Sequence, residues 1–201
     1  MHLIDITRDI MTADVYPGDP ETVLERLQSV ENGDDCSLSA LHTSVHTGTH
    51  VDAPLHYFED GFSVDAFPPD VFIGPCVVLE VKDSPITGEY VNERFPQAAE
   101  RVLIKGGGEV TFMDSAAEEA AELPLRLVGT DAVSVGMPYN EIRTHKAFLR
   151  KGIAILEGLD LSAVSPGNYF LIALPMKIGG AEGAPVRAFL ADDYIFWSQK
   201  R

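Results

Sequence analysis

The chain has 201 residues, 45% of them hydrophobic, and no long polar tract, so we expect one globular domain over residues 1–201. Fifteen basic against thirty-one acidic residues give a formal net charge of −16. This charge disfavours nucleic acids and anionic membranes as partners. It is compatible with cation binding, although such charge more often only maintains solubility. With two cysteines, no apolar run of membrane-spanning length and no N-terminal signal-peptide pattern, the sequence predicts a cytoplasmic protein without a disulfide framework.

Short strands and irregular segments alternate in the first half of the chain. Apolar runs predict strands at three places, Leu3–Thr7, Cys76–Val81 and Arg101–Lys105. Pro, Gly and polar content predicts a turn or loop at three others, Val15–Pro20, the polar residues 21–35 and Tyr57–Pro69.

The second half of the chain predicts two helices among further strands. The Ala/Glu-rich stretch Ser115–Glu122 favours a helix, and so does Glu141–Lys151, which Gly152 ends. Strands are predicted at Leu125–Val128, Ala132–Val135, Ile153–Leu156, Tyr169–Leu174 and Val186–Leu190. The runs Ile153–Leu156 and Phe170–Leu174 lack alternation, which indicates strands buried on both faces. This pattern predicts a mixed-sheet α/β domain with α+β character.

One segment, residues 46–56, concentrates groups that bind metals or move protons. Its spacing is H-x3-H-x-D-x3-H, and His46, His50, Asp52 and His56 all occupy even-numbered positions. In an extended chain these four side chains would share one face. On a flat strand, however, the Cα atoms of His46 and His50 would lie about 13 Å apart, too far to share an ion. If both bind one metal, the chain must bend, and Gly48 is where bending is easiest.

The residue types in this segment indicate a catalytic rather than a structural metal site. Imidazole and carboxylate groups suit Zn, Mn, Fe, Co or Ni, whereas structural zinc sites are usually rich in thiolates. The alternative is that these are hydrogen-bonded loop residues.

Two residues of the second half, His145 and Glu157, are further candidates. A lone His on a helix is ordinarily a core or surface residue. Glu157 ends the apolar strand Ile153–Leu156, and a buried carboxylate needs a partner because an unpaired buried charge is costly. That partner is either a metal or a basic side chain such as Arg187 or Lys177.

The segment Ser44–His56 resembles the signature of the cyclase-like metal-dependent hydrolases, a family that includes bacterial kynurenine formamidase and isatin hydrolase. The resemblance continues at five further places along the chain: Tyr16-Pro-Gly-Asp19, Phe72-Ile-Gly-Pro75, the Gly129–Val135 stretch, His145 with Gly152–Leu159, and Ala184-Pro-Val-Arg187-Ala188. It implies a swivelling β/β/α fold and a homodimer or homotetramer.

The resemblance also implies a centre of two divalent metal ions, most often Zn or Mn. His46, His50 and Asp52 would hold one ion, and Asp52, His145 and Glu157 would hold the other. The last His of the signature falls on His56, which the family uses for proton transfer. From its position alone, His56 is a general acid/base, a ligand or a structural residue.

The implied activity is a metal-dependent amidohydrolase that cleaves a small amide-type C–N bond, most like arylformamidase. N-formylkynurenine would be cleaved to kynurenine and formate by metal-bound hydroxide, with His56 as general acid/base. The alternatives are a ring hydrolase of isatin or lactone type, a cyclase or dehydratase, and a metal-binding protein without turnover.

Substrate contacts are predicted from aromatic residues near the signature. Tyr16 and Phe62, with Tyr57 and Phe58, could line an aromatic pocket or could equally pack beneath loops. Two positions depart from the family: Trp is common at position 16, and Asp is common at position 136, where this chain has Gly136. The Gly-rich segment 179–185 could approach the site.

Overall fold

The computed structural model describes residues 2–192. Within them lie eleven strands, β1 (His2–Asp5), β2 (Val23–Gln28), β3 (Leu38–His42), β4 (His50–Asp52), β5 (Ile73–Glu80), β6 (Arg101–Lys105), β7 (Leu127–Thr130), β8 (Ala154–Glu157), β9 (Gly167–Ile172), β10 (Gly183–Pro185) and β11 (Phe189–Asp192). The α-helices of this part of the chain are α1 (Gly88–Arg94), α2 (Asp114–Ala120) and α3 (Ile142–Arg150).

Nine of these strands form one mixed sheet, which confirms the predicted fold class. Their order is β1-β11-β9-β5-β6-β7-β8-β4-β10. The pairs from β5 through β8 are parallel, and all other pairs in the sheet are antiparallel. Between consecutive parallel strands the chain passes through α1, α2 and α3 in turn, as parallel pairing requires a long crossover.

The central sheet separates two hydrophobic clusters. Leu103 packs in one cluster, while its neighbours Val102 and Ile104 pack in the other, because successive side chains of a strand point to opposite faces. All residues of β7 and β8 are therefore buried, which confirms the prediction for Ile153–Leu156. No helix within residues 2–192 has the length and apolar character needed to cross a membrane.

Three predicted strands differ from the structure. Ala132–Val135 is a series of bends, and the backbone amide of Val135 donates to the Glu157 carboxylate instead of to a neighbouring strand. Val186–Leu190 is divided, because β10 ends at Pro185 and β11 begins at Phe189. Phe170–Leu174 is not buried on both faces: Leu171 and Ala173 are buried, whereas Leu174 is 46% exposed.

Residues 23–42, the first part of which was predicted to be a polar loop, form an antiparallel hairpin outside the main sheet. Within residues 2–192, β2 pairs only with β3, and every residue of β2 is exposed. The prediction was wrong because Glu25, Arg26 and Gln28 interrupt the apolar residues, so the run carries no signal of burial. The short helix α1 was also not predicted.

Candidate metal centre

The chain bends between His46 and His50, as the spacing of the signature requires. Residues 47–49 leave regular structure, and Gly48 has a φ of +66°, in the left-handed region that glycine adopts most easily. The two imidazole rings consequently approach to 5.3 Å between centroids. The predicted bend near Gly48 is confirmed, and it removes the geometric objection that a flat strand would raise.

Strand pairing brings the second half of the centre to the first. Antiparallel pairing of β4 with β8 places His50 opposite Glu157, and α3 carries His145 to the same place. The Glu157 Oε1 atom lies 3.2 Å from His145 Nε2, and its Oε2 atom lies 3.4 Å from His50 Nε2. Asp52 Oδ2 lies 3.5 Å from the same nitrogen of His145.

The five side chains form two overlapping groups of three that share Asp52. One group is His46, His50 and Asp52, and the other is Asp52, His145 and Glu157. Within each group, one possible ligand atom per residue lies within 4.8 Å of the others. These are the same two groups that the family resemblance implies. The structure therefore brings together all five residues that the sequence nominated as ligands.

Hydrogen bonds from the backbone orient these side chains. The Nδ1–H groups of His50 and His145 donate to the carbonyl oxygens of Gly48 and Glu141, each over 2.9 Å. A carbonyl oxygen can only accept, so Nδ1 carries the proton and Nε2 is left to face the carboxylates. Such support of the outer nitrogen is typical of imidazoles that bind metals.

Charges within the cluster shift the pKa values of its members strongly. Burial lowers the pKa of His50, but the carboxylates of Glu157 and Asp52 more than offset this and raise it to about 9. The pKa of His145 is raised to about 9 in the same way, chiefly by Glu157. Burial opposes ionisation of Asp52, yet its hydrogen bond with His46 and the neighbouring imidazoles hold its pKa well below the usual range.

This electrostatic arrangement fits divalent cations. The raised pKa values of His50 and His145 favour protonated imidazoles beside the buried carboxylates of Asp52 and Glu157. A divalent ion could replace those protons, because metal binding requires neutral imidazoles and ionised carboxylates. Three imidazoles and two carboxylates are also a donor set of the character that Zn and Mn accept.

Among residues 2–192, neither Arg187 nor Lys177, the basic partners considered for Glu157, forms a salt bridge with it. Arg187 instead donates from Nε to Asp5 Oδ2 over 3.0 Å at the protein surface. The Glu157 carboxylate contacts His145 and His50 and accepts the backbone N–H of Val135 over 2.8 Å.

His56 lies beside the cluster but belongs to neither group of three. It ends the short 3-10 helix Pro54–His56 and lines a cavity of about 190 Å³ together with the five candidate ligands. Its ring centroid is 4.2 Å from that of His46 and 6.2 Å from that of His145. Burial lowers the pKa of His56, and the positive charges of the other two imidazoles add to this against the opposing effect of Asp52. The lowered pKa of His56 favours the neutral form of its ring at the edge of the cluster.

Two of the four predicted substrate residues line the cavity, and the other two do not. Tyr16 lines the cavity, and its hydroxyl donates to Glu141 Oε1 over 2.7 Å, which raises the pKa of Tyr16 to about 12. Tyr57 lines the cavity as well. Phe62 is not among the described residues lining the cavity, is 41% exposed, and packs its ring against that of Phe67 at 4.8 Å between centroids, so its contact with substrate stays a prediction. Phe58 likewise packs against the core.

A second, larger cavity of about 590 Å³ adjoins the first and was not predicted as such. The two cavities share Tyr16, Val133, Ser134 and Glu141, and the larger one is otherwise lined mainly by apolar residues. Gly136, where the chain departs from the family, also lines it. Glu141 was missed as a site residue, although its position four residues before His145 on a predicted helix was a signal that its carbonyl oxygen could support that imidazole.

Comparison with known proteins gives consistent matches over nearly the whole chain. The family model described as "Putative cyclase" matches residues 4–137. A kynurenine formamidase of Salinibacter ruber (strain DSM 13855 / M31) is 42% identical, over 96% of this chain and 98% of the relative. A solved structure described as a potential metal-dependent hydrolase with cyclase activity is 31% identical, with a TM-score of 0.82 over 94% of this chain and 96% of the other.

A more distant solved structure shares the fold. Isatin hydrolase A from Labrenzia aggregata, solved with benzyl benzoate bound, has a TM-score of 0.77 over 94% of this chain and 93% of its own. Its sequence identity to this chain is 23%, so this likeness is one of fold alone.

Proposed function

The chain belongs to the cyclase family, and we propose that it is a metal-dependent hydrolase of a small amide-type C–N bond. The substrate that we propose is an N-formyl aryl amine, most simply N-formylkynurenine, which would yield kynurenine and formate. The observation that carries this proposal is the full-length similarity to a kynurenine formamidase at 42% identity. The arrangement of the five candidate ligands around Asp52 supports it.

We propose that two divalent ions, Zn or Mn, bind in the two groups of three. His46, His50 and Asp52 would hold one ion, and Asp52, His145 and Glu157 would hold the other. Bound there, the ions supply the Lewis acidity that activates water and polarises a carbonyl group. The protein contributes the buried position of the ligands and the hydrogen bonds that orient them.

His56 would move the proton that amide hydrolysis requires. One imidazole nitrogen would accept a proton from the attacking water and then donate it to the leaving nitrogen of the amide. Because burial lowers the pKa of His56, the ring is neutral near pH 7 and ready to act first as a base. Its place on the cavity wall, outside both groups of ligands, supports this role.

The two adjoining cavities would divide the substrate between them. The smaller cavity, lined by the ligands and His56, is suited to the scissile amide group. The larger, mainly apolar cavity of about 590 Å³ is suited to an aromatic body. Tyr16 lines both cavities and would lie where the aryl ring meets the amide.

We also propose that the protein forms a homodimer or homotetramer. The β2–β3 hairpin supports this, since its apolar residues Leu24, Leu27 and Leu41 are each about half exposed. An isolated two-stranded hairpin is marginally stable in water, so a partner surface would stabilise it. The cytoplasmic location and the single domain over residues 1–201 remain predictions.

Substrate competition tests the proposed function. The metal-free protein would be reloaded with Mn²⁺ or Zn²⁺ and its kcat/KM measured for N-formylkynurenine, isatin and a simple lactone. We expect the formamide to be cleaved with the highest kcat/KM, and His46→Ala to abolish the activity. A higher kcat/KM for isatin or the lactone would assign the protein to ring hydrolysis instead. If the protein binds metal but turns over none of the three compounds, it is a metal-binding protein without this hydrolytic activity.

A further inference from the structure

The Gly-rich segment 179–185 carries a carboxylate, Glu182, that reaches the back of the metal centre. Its Oε1 atom lies 3.6 Å from Nε2 of His46. Glu182 belongs to neither group of candidate ligands and does not line the cavity that those ligands form, among the residues described. Glu182 takes no part in the proposed hydrolysis.

His46 is turned the opposite way from the other two imidazoles of the centre. His50 and His145 donate from Nδ1 to backbone carbonyl oxygens and direct Nε2 to the carboxylates. In His46, Nδ1 lies 2.8 Å from Asp52 Oδ1, so this nitrogen faces the cluster and Nε2 faces outward. His46 therefore needs its supporting acceptor at Nε2, where none of the described backbone carbonyl groups accepts a hydrogen bond from it.

The outward nitrogen of His46 is a buried polar atom without a hydrogen-bond partner in the described part of the chain. If Nδ1 binds a cation, the neutral ring must carry its proton on Nε2, because a neutral imidazole has one donor and one acceptor. Leaving that buried N–H unsatisfied is unfavourable, and water does not reach it. The Glu182 carboxylate is the acceptor that stands within ion-pair distance.

The backbone on both sides of Glu182 is fixed close to His46. The carbonyl oxygen of Glu182 accepts the backbone N–H of Ala53 over 2.8 Å, and Gly183 pairs with Asp52 across β10 and β4. A Cβ atom at Gly183 would lie only 2.8 Å from Cε1 of His46, so the segment passes directly beside the ring. The Glu182 side chain is 43% exposed and can rotate to shorten its distance to Nε2.

We propose that Glu182 is a positioning residue that accepts the Nε2–H of His46 when a divalent ion is bound at Nδ1. The hydrogen bond would fix the tautomer and the orientation of the imidazole and would increase its basicity as a ligand. This inference rests on the proposed metal-binding role of His46. It also gives the Gly-rich segment a function, since the small residues around Glu182 allow it to approach the ring.

Two substitutions of Glu182 by residues of similar size distinguish the effect of its hydrogen-bond acceptor from the effect of its negative charge. Glu182→Gln keeps a carbonyl oxygen that can accept the N–H, whereas Glu182→Met keeps the length and removes the acceptor. Glu59→Gln removes one carboxylate charge from an exposed position and serves as the control. The dissociation constant for Mn²⁺ would be measured on the metal-free full chain by competition with a chelator. NMR of the imidazole N–H protons would report the hydrogen bond of His46 directly.

We expect Glu182→Met to weaken Mn²⁺ binding about 10- to 100-fold, the range that is usual for loss of a partner to a metal-binding imidazole. Its spectrum should lack the hydrogen-bonded Nε2–H signal of His46 that the Zn²⁺-loaded wild type shows. Glu182→Gln should retain that signal and most of the affinity, and Glu59→Gln should match the wild type. Thermal unfolding of the metal-free variants checks that all of them are folded.

Two results would overturn the role of Glu182 alone. One is wild-type Mn²⁺ affinity in Glu182→Met, and the other is an equal loss in Glu182→Gln, which would assign the effect to charge and not to the acceptor. The variant His46→Ala tests separately whether the proposed metal centre itself is wrong. If the wild type and His46→Ala bind Mn²⁺ equally, His46 is not a ligand, and the proposed metal centre falls together with this inference.

Discussion

The hairpin of residues 23–42 and the ligand segment of residues 46–56 are neighbours in the sequence and opposites in their surroundings. Every residue of β2 is exposed, whereas every residue of β4 is buried. In the hairpin, apolar Leu24 and Leu41 are 48% and 47% exposed. In the ligand segment, polar His50 and Asp52 are only 3% and 1% exposed.

Each region thus reverses the usual distribution of polar and apolar side chains, and each reversal indicates a function. Buried charge is costly unless it is paired or bound to a metal, so the polar interior at β4 indicates chemistry. Exposed apolar side chains grouped on one element are typical of a surface that contacts a partner. The comparison predicts that substitutions at β4 alter activity and metal binding, whereas substitutions in the hairpin alter assembly alone.

The largest effect is expected at Asp52, the one residue that both groups of ligands share. Asp52→Asn keeps the size of the side chain but removes the negative charge that two ions would require. We expect kcat/KM for N-formylkynurenine to fall at least about 1,000-fold, or about 4 kcal/mol of transition-state stabilisation. Elemental analysis should show loss of bound metal as well.

Glu25→Gln in the hairpin is the matched control for Asp52→Asn. Glu25 is an exposed carboxylate beside His42, in the two-stranded sheet that is separate from the sheet containing β4 and β8. Its kcat/KM should equal that of the wild type. Full activity in Asp52→Asn would contradict the metal centre, and a loss in Glu25→Gln would contradict the separation of the two regions.

His56→Gln should have the next largest effect. Removing a general acid/base typically lowers the rate about 10²- to 10⁴-fold, and we expect kcat to fall within that range while the metal content stays unchanged. Glutamine fills a similar space but cannot exchange a proton near neutral pH. Undiminished kcat would refute the proton-transfer role, and loss of metal would make His56 a ligand instead.

Sequence reasoning was most accurate where spacing or composition constrains the backbone directly. Imidazoles that are to share an ion cannot lie on a flat strand, so the bend near Gly48 followed from the positions of His46 and His50. Helix α3 followed from helix propensity, and its end at Arg150 lies two residues before Gly152, whose φ of +70° is of the kind that glycine adopts at the end of a helix. The buried strand β8 followed from an unbroken apolar run.

Other features depend on contacts that the linear sequence does not encode. Phe62 is close to the signature in sequence, but it packs against Phe67, because proximity along the chain does not determine the direction of a side chain. The hairpin gives no signal since its strands bury nothing within one copy of the chain. Glu182 reaches His46 only through the pairing of β10 with β4, which joins residues about 130 positions apart.

The pH dependence of stability should differ between the metal-free and the metal-loaded protein. In the metal-free protein the pKa values of His50 and His145 are raised to about 9, above the value of about 6.5 for an unfolded chain. Their stabilising contribution is complete below pH 6.5 and is lost as the pH rises through 9. The free energy of unfolding, measured with urea, should therefore fall across this range by on the order of 3 kcal/mol for each imidazole, since one pKa unit corresponds to about 1.4 kcal/mol.

The metal-loaded protein should show the opposite trend relative to the metal-free protein. Bound ions require neutral imidazoles, so the additional stability that metal confers should grow as the pH rises over the same range. Calorimetry in buffers of different ionisation enthalpy should show proton release on binding at pH 7. If metal binding releases no protons, the imidazoles of His50 and His145 are not protonated in the metal-free protein, or they are not ligands of the metal.

The smallest change in stability is expected for the double substitution Leu24→Ser and Leu41→Ser in the hairpin. The two leucines lie opposite each other in the β2–β3 register and are both about half exposed, so within one copy their removal should change the free energy of unfolding by only about 0.5 kcal/mol. Light scattering should nevertheless show a lower molar mass than the wild type. A wild type that is already monomeric would refute the predicted oligomer, and a variant that still assembles would place the interface elsewhere. Retained kcat/KM in a dissociated variant would show that the buried cluster works without the hairpin contact, because the described ligands of the centre all come from a single copy of the chain.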